Sequence, residues 1–251
     1  MKHHTCHQVS VIIPVWNDPA GLAICLKALA GQDWPSERME VLVVDNGSDR
    51  LPDEVVGAYP WARLLEESEA GSYAARNRAL VEAEGGVVAF TDADCVPEPG
   101  WLSAGVARLE AEGPDAVIGG AIRMFCRDAD RPTSVELLEL AVGLPQQQYV
   151  EASGFAATAN LVTWRSVMDR VGGFDASIKS GGDREWGARA AAAGCRLVYA
   201  EDVGGGAPGE ADMAGAHRAQ PTDRGGDVRD AGGGVASAFA GCAAAGGAGL
   251  A

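Results

Sequence analysis

The sequence predicts an α/β fold with a doubly wound, mainly parallel sheet, because short apolar runs alternate along the chain with segments of helical periodicity. Two of these runs, Val9–Val15 and Val87–Thr91, are almost continuously apolar. Such runs are typical of strands that are buried on both faces of a parallel sheet. In folds of this class, ligands bind beyond the carboxyl ends of the strands. We therefore expect functional side chains directly after the strands.

Strand and helix alternate through the first half of the chain. After the first strand, Asn17 or Asp18 can cap a helix, and Pro19 suits the first turn of that helix. The elements predicted next are a strand over Met39–Val44, a helix over Ser72–Ala83 and the strand over Val87–Thr91.

The second half has a less regular pattern. The run VIGGAIRMF from Val117 predicts a strand, and the acidic and apolar segment Ser134–Val142 predicts a helix. A further helix is predicted over Arg184–Ala193, followed by a strand over Arg196–Ala200.

Composition narrows the class of protein. A chain of 251 residues with 47% hydrophobic residues can bury one substantial core, so one main domain is expected. The excess of 35 acidic over 20 basic residues gives a net charge of −15, which argues against nucleic acid as a partner. The six cysteines are scattered and form no Cys-x-x-Cys pair, as in proteins with reduced thiols.

Neither a signal peptide nor a transmembrane segment is visible in the sequence, and residues 1–8 form a polar leader. We therefore expect a cytoplasmic protein. Peripheral association with the inner face of a membrane stays open.

The first polar cluster follows the strand that begins at Met39. Asp45 is the first residue of Asp-Asn-Gly-Ser-Asp, and a carboxylate followed by a glycine turn is suited to binding a base or a ribose. The same residue types also favour turns for conformational reasons alone, so a plain strand-to-loop turn is the alternative.

The second cluster, Thr91-Asp92-Ala93-Asp94, follows the strand from Val87. If the strand alternation continues, Asp92 and Asp94 point to the same side and can share one divalent cation. Mg²⁺ or Mn²⁺ prefers oxygen ligands and often bridges protein carboxylates to substrate phosphates. The alternative is a solvated acidic turn.

A third segment, Gly71-Ser-Tyr-Ala-Ala-Arg-Asn-Arg78, begins a helix with two arginines. This helix start is expected near the same edge of the sheet, where arginine can hold a phosphate.

Taken in order, SVIIPVWN, VVDNGSD, AARNRAL and FTDADC resemble family-2 glycosyltransferases of the GT-A fold. The resemblance implies a nucleotide-sugar donor, a divalent cation (Mn²⁺ or Mg²⁺) and a carbohydrate, lipid-linked or other hydroxyl acceptor. It implies that Arg76 and Asp92 serve the donor phosphates, and that Asp92 and Asp94 hold the metal. The nucleoside contacts that it implies are Pro14, Trp16 and Asp45, with tryptophan at 16 where tyrosine is more usual.

The resemblance covers residues 9–203, with a nucleotide-sugar-binding half over 9–116 and an acceptor-side half over 117–203. In the second half, Gly-Gly-Asp-Arg-Glu-Trp matches the position of the catalytic carboxylate, where glycine replaces a usual glutamate. The resemblance assigns the general base of an inverting displacement to Asp183. Glu185 is the substitute base, and Asp183 could instead cap the helix that follows.

The composition changes at Gly204. The last 48 residues hold 14 of the 34 glycines and no Trp, Tyr or Ile, a composition that predicts a disordered tail over 204–251. A His-Pro pair that completes the metal site in the family is missing, and His217 is a weak substitute. Our hypothesis is a frameshift: codons for the segment from Gly205 to Met213 exist whose neighbouring frame encodes Val-Glu-His-Pro-Ala-Arg-Arg-Thr-Trp. Sequencing the gene across these codons tests it.

Three other functions are alternatives to sugar transfer. A catalytically impaired or dead nucleotide-sugar-binding module has the same fold, and the missing metal ligand favours it. A sugar nucleotidyltransferase also joins a metal to a nucleotide sugar and stays a minor alternative, although the glycine-rich, basic loop expected after its first strand is absent. A dinucleotide-dependent oxidoreductase requires Gly-x-Gly-x-x-Gly, but Pro14-Val-Trp-Asn-Asp follows the first strand here.

Overall fold

The structure, a computed structural model, describes residues 7–208 apart from residues 127 and 129. Most of the predicted leader over 1–8 lies outside the described residues. So do residues 209–251 of the predicted tail, with His217 and most of the segment that the frameshift hypothesis concerns.

One eight-stranded sheet forms the centre of the described fold, in the order β3-β2-β1-β4-β7-β6-β8-β5. Its strands are β1 (Val9–Val15), β2 (Met39–Asp45), β3 (Ala62–Glu66), β4 (Val87–Phe90), β5 (Val96–Pro97), β6 (Ala116–Phe125), β7 (Leu161–Trp164) and β8 (Arg196–Pro208).

The sheet is mainly parallel. β1 pairs in parallel with β2 and β4, β2 with β3, and β6 with β8. β7 lies antiparallel between β4 and β6, and β5 lies antiparallel to β8. The predicted α/β fold with a doubly wound, mainly parallel sheet is confirmed, with β7 as a reversed strand inside it.

Helices cover the sheet, and several have the predicted positions. They are α1 (Pro19–Ala30), α2 (Asp53–Val56), α3 (Ser72–Glu82), α4 (Trp101–Glu112), α5 (Ser134–Val142), α6 (Gln146–Ser153), α7 (Arg165–Val171) and α8 (Gly182–Ala192). Short 3-10 turns cover Ser36–Arg38 and Thr158–Asn160. Asp18 caps α1, because its Oδ1 accepts from the backbone nitrogen of Gly21 at 2.9 Å.

Two hydrophobic cores result from the alternation of side chains along the strands. Val11 and Ile13 of β1 belong to the core that also contains α1 and α4, whereas Ile12 belongs to the core that contains α3, α7 and α8. Each face of the sheet is therefore covered by helices, which leaves the carboxyl ends of the strands as the edge where polar residues gather.

The last strand is longer than the sequence predicts. β8 continues to Pro208 and pairs Gly205 with Ile122 of β6, so the boundary predicted at residue 204 falls inside a strand. Glycine can continue a strand whose partners on both sides supply the backbone hydrogen bonds. Within the described residues, no helix has the length and apolar character needed to cross a membrane.

Candidate active site

Asp45 ends β2 and is 2% exposed. Its Oδ2 accepts from the backbone nitrogens of Gly47 at 3.1 Å and Ser48 at 3.0 Å. Gly47 has a φ of +85°, a conformation that favours glycine, so the turn that wraps the carboxylate depends on this residue. Oδ1 of Asp45 is buried and has no hydrogen-bond partner within the described part of the chain. It is an acceptor that a ligand can satisfy.

The strand pairing places Pro14 and Trp16 beside Asp45. Pro14 is in register with Val44, and Val15 with Asp45. Trp16 follows directly after β1 and is half-buried. The structure thus brings the three predicted nucleoside contacts to the ends of two adjacent strands.

The loops after β1 and β2 are joined to each other. Asn17 donates its backbone nitrogen to Oγ of Ser48 at 2.8 Å, and its Oδ1 accepts from the backbone nitrogen of Asp49 at 2.9 Å. Asn17 has a φ of 51°, a left-handed conformation that asparagine tolerates better than most residues. These hydrogen bonds hold together the two loops that border Asp45.

Asp92 and Asp94 lie in a turn after β4, in which the backbone nitrogen of Cys95 donates to the carbonyl oxygen of Asp92 at 3.1 Å. The strand ends at Phe90, so the strand alternation that was expected to align the two aspartates does not apply. Burial raises the pKa of the Cys95 thiol and of the Cys25 thiol, and the charges of both aspartates raise them further. Asp92 and Asp94 therefore lie near the same two thiols.

Arg76 of α3 forms an ion pair with Asp92, with Nη2 of the arginine against Oδ1 of the aspartate. Arg76 is 3% exposed, and its Nε has no partner among the residues that the structure describes. The second arginine of this helix, Arg78, bonds Glu82 at 2.9 Å one turn later. Only Arg76 of the two predicted arginines contacts a predicted site residue.

Asp183 lies in the first turn of α8, facing Thr158. Its Oδ2 accepts from the backbone nitrogen of Thr158 at 3.3 Å, and its Oδ1 accepts from Oγ1 of Thr158 at 3.2 Å. Burial raises the pKa of the Asp183 carboxyl, and the charge of Asp92 adds to this, whereas the charge of Arg76 and the Thr158 bonds oppose it. Arg76 and Asp92 are thus close enough to influence Asp183.

The alternatives at this segment were Glu185 as the base and Asp183 as the cap of the helix. Both carboxylate oxygens of Glu185 are bonded to Arg189, at 2.6 and 2.8 Å. The capping hypothesis is wrong, because α8 begins at Gly182 after Gly181 and no side chain caps it.

The glycine before Asp183 has a structural reason. A Cβ on Gly182 would lie 2.6 Å from ring atoms of Tyr73 in α3. Tyr73 OH accepts from the backbone nitrogen of Asp183 at 3.3 Å. The aromatic ring of Tyr73 therefore occupies the space that a side chain at position 182 would need.

A separate pocket of about 450 Å³ opens between β6 and α6, and its lining includes Ile122, Leu144, Glu151 and Tyr199. None of the predicted site residues lines it. The aspartates and this pocket are different features of the surface.

Comparison with known proteins decides the family. The model of the family described as "Glycosyl transferase family 2" matches residues 10–174, more than half of the chain.

The chain belongs to glycosyl transferase family 2.

Two relatives show how far the likeness to family members extends. The glycosyltransferase AglE of Haloferax volcanii is 36% identical over 200 residues, which cover 78% of this chain and 65% of AglE. A pre-mycofactocin glycosyltransferase of Mycobacterium tuberculosis is 30% identical over 199 residues, which cover 76% of this chain and 40% of that protein. The chain thus spans less than two thirds of the length of these relatives.

Solved structures share the fold at low sequence identity. Staphylococcus aureus TarS 1-349, crystallised with UDP-GlcNAc, aligns with a TM-score of 0.66 and 22% identity, covering 83% of this chain and 60% of TarS 1-349. The mannosyltransferase PcManGT of Pyrobaculum calidifontis, in complex with GDP-Man and Mn²⁺, aligns with a TM-score of 0.64 and 22% identity, covering 83% of this chain and 58% of PcManGT. The fold is therefore of the GT-A type.

The family match includes six of the seven predicted site positions. The seventh, Asp183, lies beyond the end of the match at residue 174. Sequence reasoning missed Thr158 and Tyr73, which both hydrogen-bond Asp183. Thr158 precedes Asp183 by 25 positions and Tyr73 by 110, so no local spacing in this sequence relates them to it.

Proposed function

We propose that this family-2 protein is an inverting glycosyltransferase that moves a sugar from a nucleoside-diphosphate sugar to an acceptor hydroxyl. The observation that carries the proposal is one buried guanidinium, Arg76, which pairs with Asp92 and influences the pKa of Asp183. A positive group that pairs with one carboxylate and favours the charged form of a second suits the transfer of a sugar away from a diphosphate.

The nucleoside would bind at Asp45. Its buried Oδ1 lacks a partner within the described residues, and a ribose hydroxyl or a base N–H can supply the missing donor. Pro14 and Trp16 would flank the nucleoside from β1, and Nε of Arg76 is a donor for a phosphate oxygen. That two neighbours of the same fold were crystallised with UDP-GlcNAc and GDP-Man supports this class of donor.

Asp92 and Asp94 would hold a divalent cation. No group of three or more His, Cys, Asp or Glu side chains in the described ranges could hold a metal by itself. A pair of carboxylates nevertheless fits Mg²⁺ or Mn²⁺, which commonly bind through one or two carboxylates together with substrate phosphates. When bound, the ion would neutralise negative charge on the diphosphate as it leaves.

Asp183 would act as the general base. Its pKa is raised by burial, and a base works best when its pKa approaches the working pH. The carboxylate would take the proton of the acceptor hydroxyl while that oxygen forms a bond to the anomeric carbon. The bond from this carbon to the diphosphate oxygen breaks in the same displacement, so the configuration inverts. Glu185 is bonded to Arg189 and is the poorer candidate.

Arg76 would position Asp92 and limit the repulsion between carboxylates. A guanidinium with 3% exposure keeps a fixed place, since its ion pair and the ring of Tyr73, 5.7 Å from Cζ, confine it. Asp92 can therefore offer its other oxygen to a cation without rotating.

The test is sugar transfer from a panel of nucleoside-diphosphate sugars, with Mn²⁺ present or removed by chelation. We expect Asp183→Asn to lower kcat by at least about 100-fold while nucleoside-diphosphate binding, followed by thermal shift, stays close to that of the parent. Asp92→Asn and Asp94→Asn should each weaken the Mn²⁺-dependent part of that binding. The matched control is Asp175→Asn, because Asp175 is exposed and its side chain hydrogen-bonds Ser177 and none of the predicted site residues.

Three outcomes would contradict parts of the proposal. Full activity of the Asp183→Asn variant would exclude Asp183 as the base. Nucleoside-diphosphate binding that does not depend on Mn²⁺ would exclude the metal from the proposal. Nucleotide binding without transfer from any donor would favour the catalytically dead binding module.

A further inference from the structure

Thr158 makes both side-chain hydrogen bonds of Asp183. The residue is 2% exposed and begins the 3-10 turn Thr158–Asn160. Its backbone nitrogen and its hydroxyl donate to different oxygens of the carboxylate, at 3.3 and 3.2 Å. Two donors from one residue fix the plane of the carboxylate as well as its place.

The turn that carries Thr158 is itself held by buried amides. Oε1 of Gln146 accepts from the backbone nitrogen of Ala157 at 2.9 Å, and its Nε2 donates to the carbonyl oxygen of Asn160 at 2.9 Å. Gln146 is 2% exposed and Asn160 1% exposed. A satisfied polar network in a buried setting is rigid, so Thr158 has little freedom to move.

We infer that Thr158 is the positioning residue of Asp183, and that Gln146 and Asn160 hold Thr158 in place. This inference deepens the proposed function and rests on it, since it concerns the residue proposed as the base. Thr158 aligns the carboxylate toward the acceptor and favours its ionised form, in which both oxygens accept hydrogen bonds. Burial alone would leave the carboxylate free to rotate and more easily protonated.

Other groups also face Asp183. Arg76 of α3 favours the charged carboxylate, and Asp92 of the turn after β4 opposes it. Tyr73 of α3 accepts from the backbone nitrogen of Asp183 and stays neutral, because burial and the Asp183 charge raise its pKa. A change of the Thr158 side chain leaves all of these charges and the backbone donor in place, so its effect reports the hydroxyl hydrogen bond.

The experiment is the pH profile of kcat for sugar transfer by the full chain with Mn²⁺. Thr158→Val keeps the shape of the side chain and removes the hydroxyl donor. The acidic limb should move to higher pH, and kcat on that limb should fall by about threefold to tenfold, with the donor KM unchanged. Thr158→Ser keeps the hydroxyl and should restore the limb. Thr158→Ala removes the same donor without a new methyl group and replaces the valine variant if that variant does not fold.

Thr163→Val is the matched control. Thr163 is fully buried in β7, and its hydroxyl donates to the carbonyl oxygen of Ala116 at 2.9 Å. This variant should lose stability without moving the acidic limb. An unmoved limb in Thr158→Val and Thr158→Ala, or an equal shift of the acidic limb in Thr163→Val, would overturn the inference. Retained activity in Asp183→Asn would instead overturn the proposed base, so the two failures are distinct.

Discussion

Two buried asparagines, Asn46 and Asn160, each hydrogen-bond several backbone or side-chain groups, but their partners lie at different separations along the chain. Asn46 follows β2 in the first half of the fold (residues 9–116). Its Nδ2 donates to the carbonyl oxygens of Glu67 at 2.9 Å and Glu69 at 2.7 Å, and its Oδ1 accepts from the backbone nitrogen of Gly71 at 2.7 Å. All three partners belong to one loop, which leads directly into α3 and Arg76.

Asn160, in the second half of the fold (residues 117–203), joins two strands of that half to a helix of the first half. Its Nδ2 donates to the carbonyl oxygens of Ala121 in β6 and Val203 in β8, both at 2.9 Å. Its Oδ1 accepts from Nε1 of Trp101 in α4 at 2.8 Å. The bonds of Asn46 therefore stay within one loop beside its strand end, whereas those of Asn160 join elements that lie far apart in the chain. We expect the second half to tolerate substitution less well.

The largest effect is expected from Gly120→Ala in β6. A Cβ at this position would lie 2.2 Å from the carbonyl oxygen of Val203 and 2.5 Å from Nδ2 of Asn160. Backbone and a buried amide cannot move aside cheaply, so the free energy of unfolding should fall by at least about 3 kcal/mol in urea melts. Gly86→Ala is the control, since nothing lies within 4 Å of its added Cβ. Equal stability of the two variants would show that β6 and β8 can separate freely.

Asn160→Ala and Asn46→Ala compare the halves directly. Asn160→Ala leaves a buried indole N–H and two carbonyl oxygens without partners, which should cost about 3 kcal/mol. Asn46→Ala frees groups of a partly exposed loop that water can reach, so about 1.5 kcal/mol is expected. Nucleoside-diphosphate binding should weaken in Asn46→Ala and stay unchanged in Asn160→Ala when thermal shifts are compared. The reverse order of costs would refute the difference between the halves.

The sequence alone predicts an element or a site residue where the residues that signal it are adjacent to it in the chain. α5 has the predicted bounds, and Thr133 and Glu136 make the reciprocal hydrogen bonds of a capping box at its start. Asp45 directly follows an apolar run, which is why the edge of the sheet where it lies could be predicted. Asp92 was expected at the same edge, although a turn and not strand alternation places it there.

Other features depend on contacts that no local pattern encodes. β7 has four residues, too short a run to be separated from a helix by periodicity. β7 pairs antiparallel with both β4 and β6, a direction that no local pattern in its sequence encodes. Thr158 and Gln146 are ordinary polar residues in the sequence. Only the folded chain brings Thr158 to Asp183 and Gln146 to the turn that carries Thr158.

The smallest expected effect concerns Asp183, where function and stability oppose each other. Burial raises the pKa of Asp183 above its unfolded value, so the folded state holds the proton more tightly than the unfolded chain. The free energy of unfolding therefore falls as the pH rises from the ordinary carboxyl range through the raised pKa. Asp183→Asn removes this cost, and its melting temperature without ligands should exceed that of the parent by a few degrees at neutral pH and approach the parent value in acid.

Asp175→Asn should show the opposite sign at neutral pH, because Ser177 lowers the pKa of Asp175 and so stabilises its charged form in the folded state. Thermal melts of both variants across the acid-to-neutral range separate the two cases. A loss of stability at neutral pH in Asp183→Asn would mean that Thr158 and Arg76 more than offset the burial of the carboxylate. The Asp183 carboxylate would then stabilise the fold, whereas a gain in stability would indicate that its burial costs stability, as expected of a group kept for chemistry.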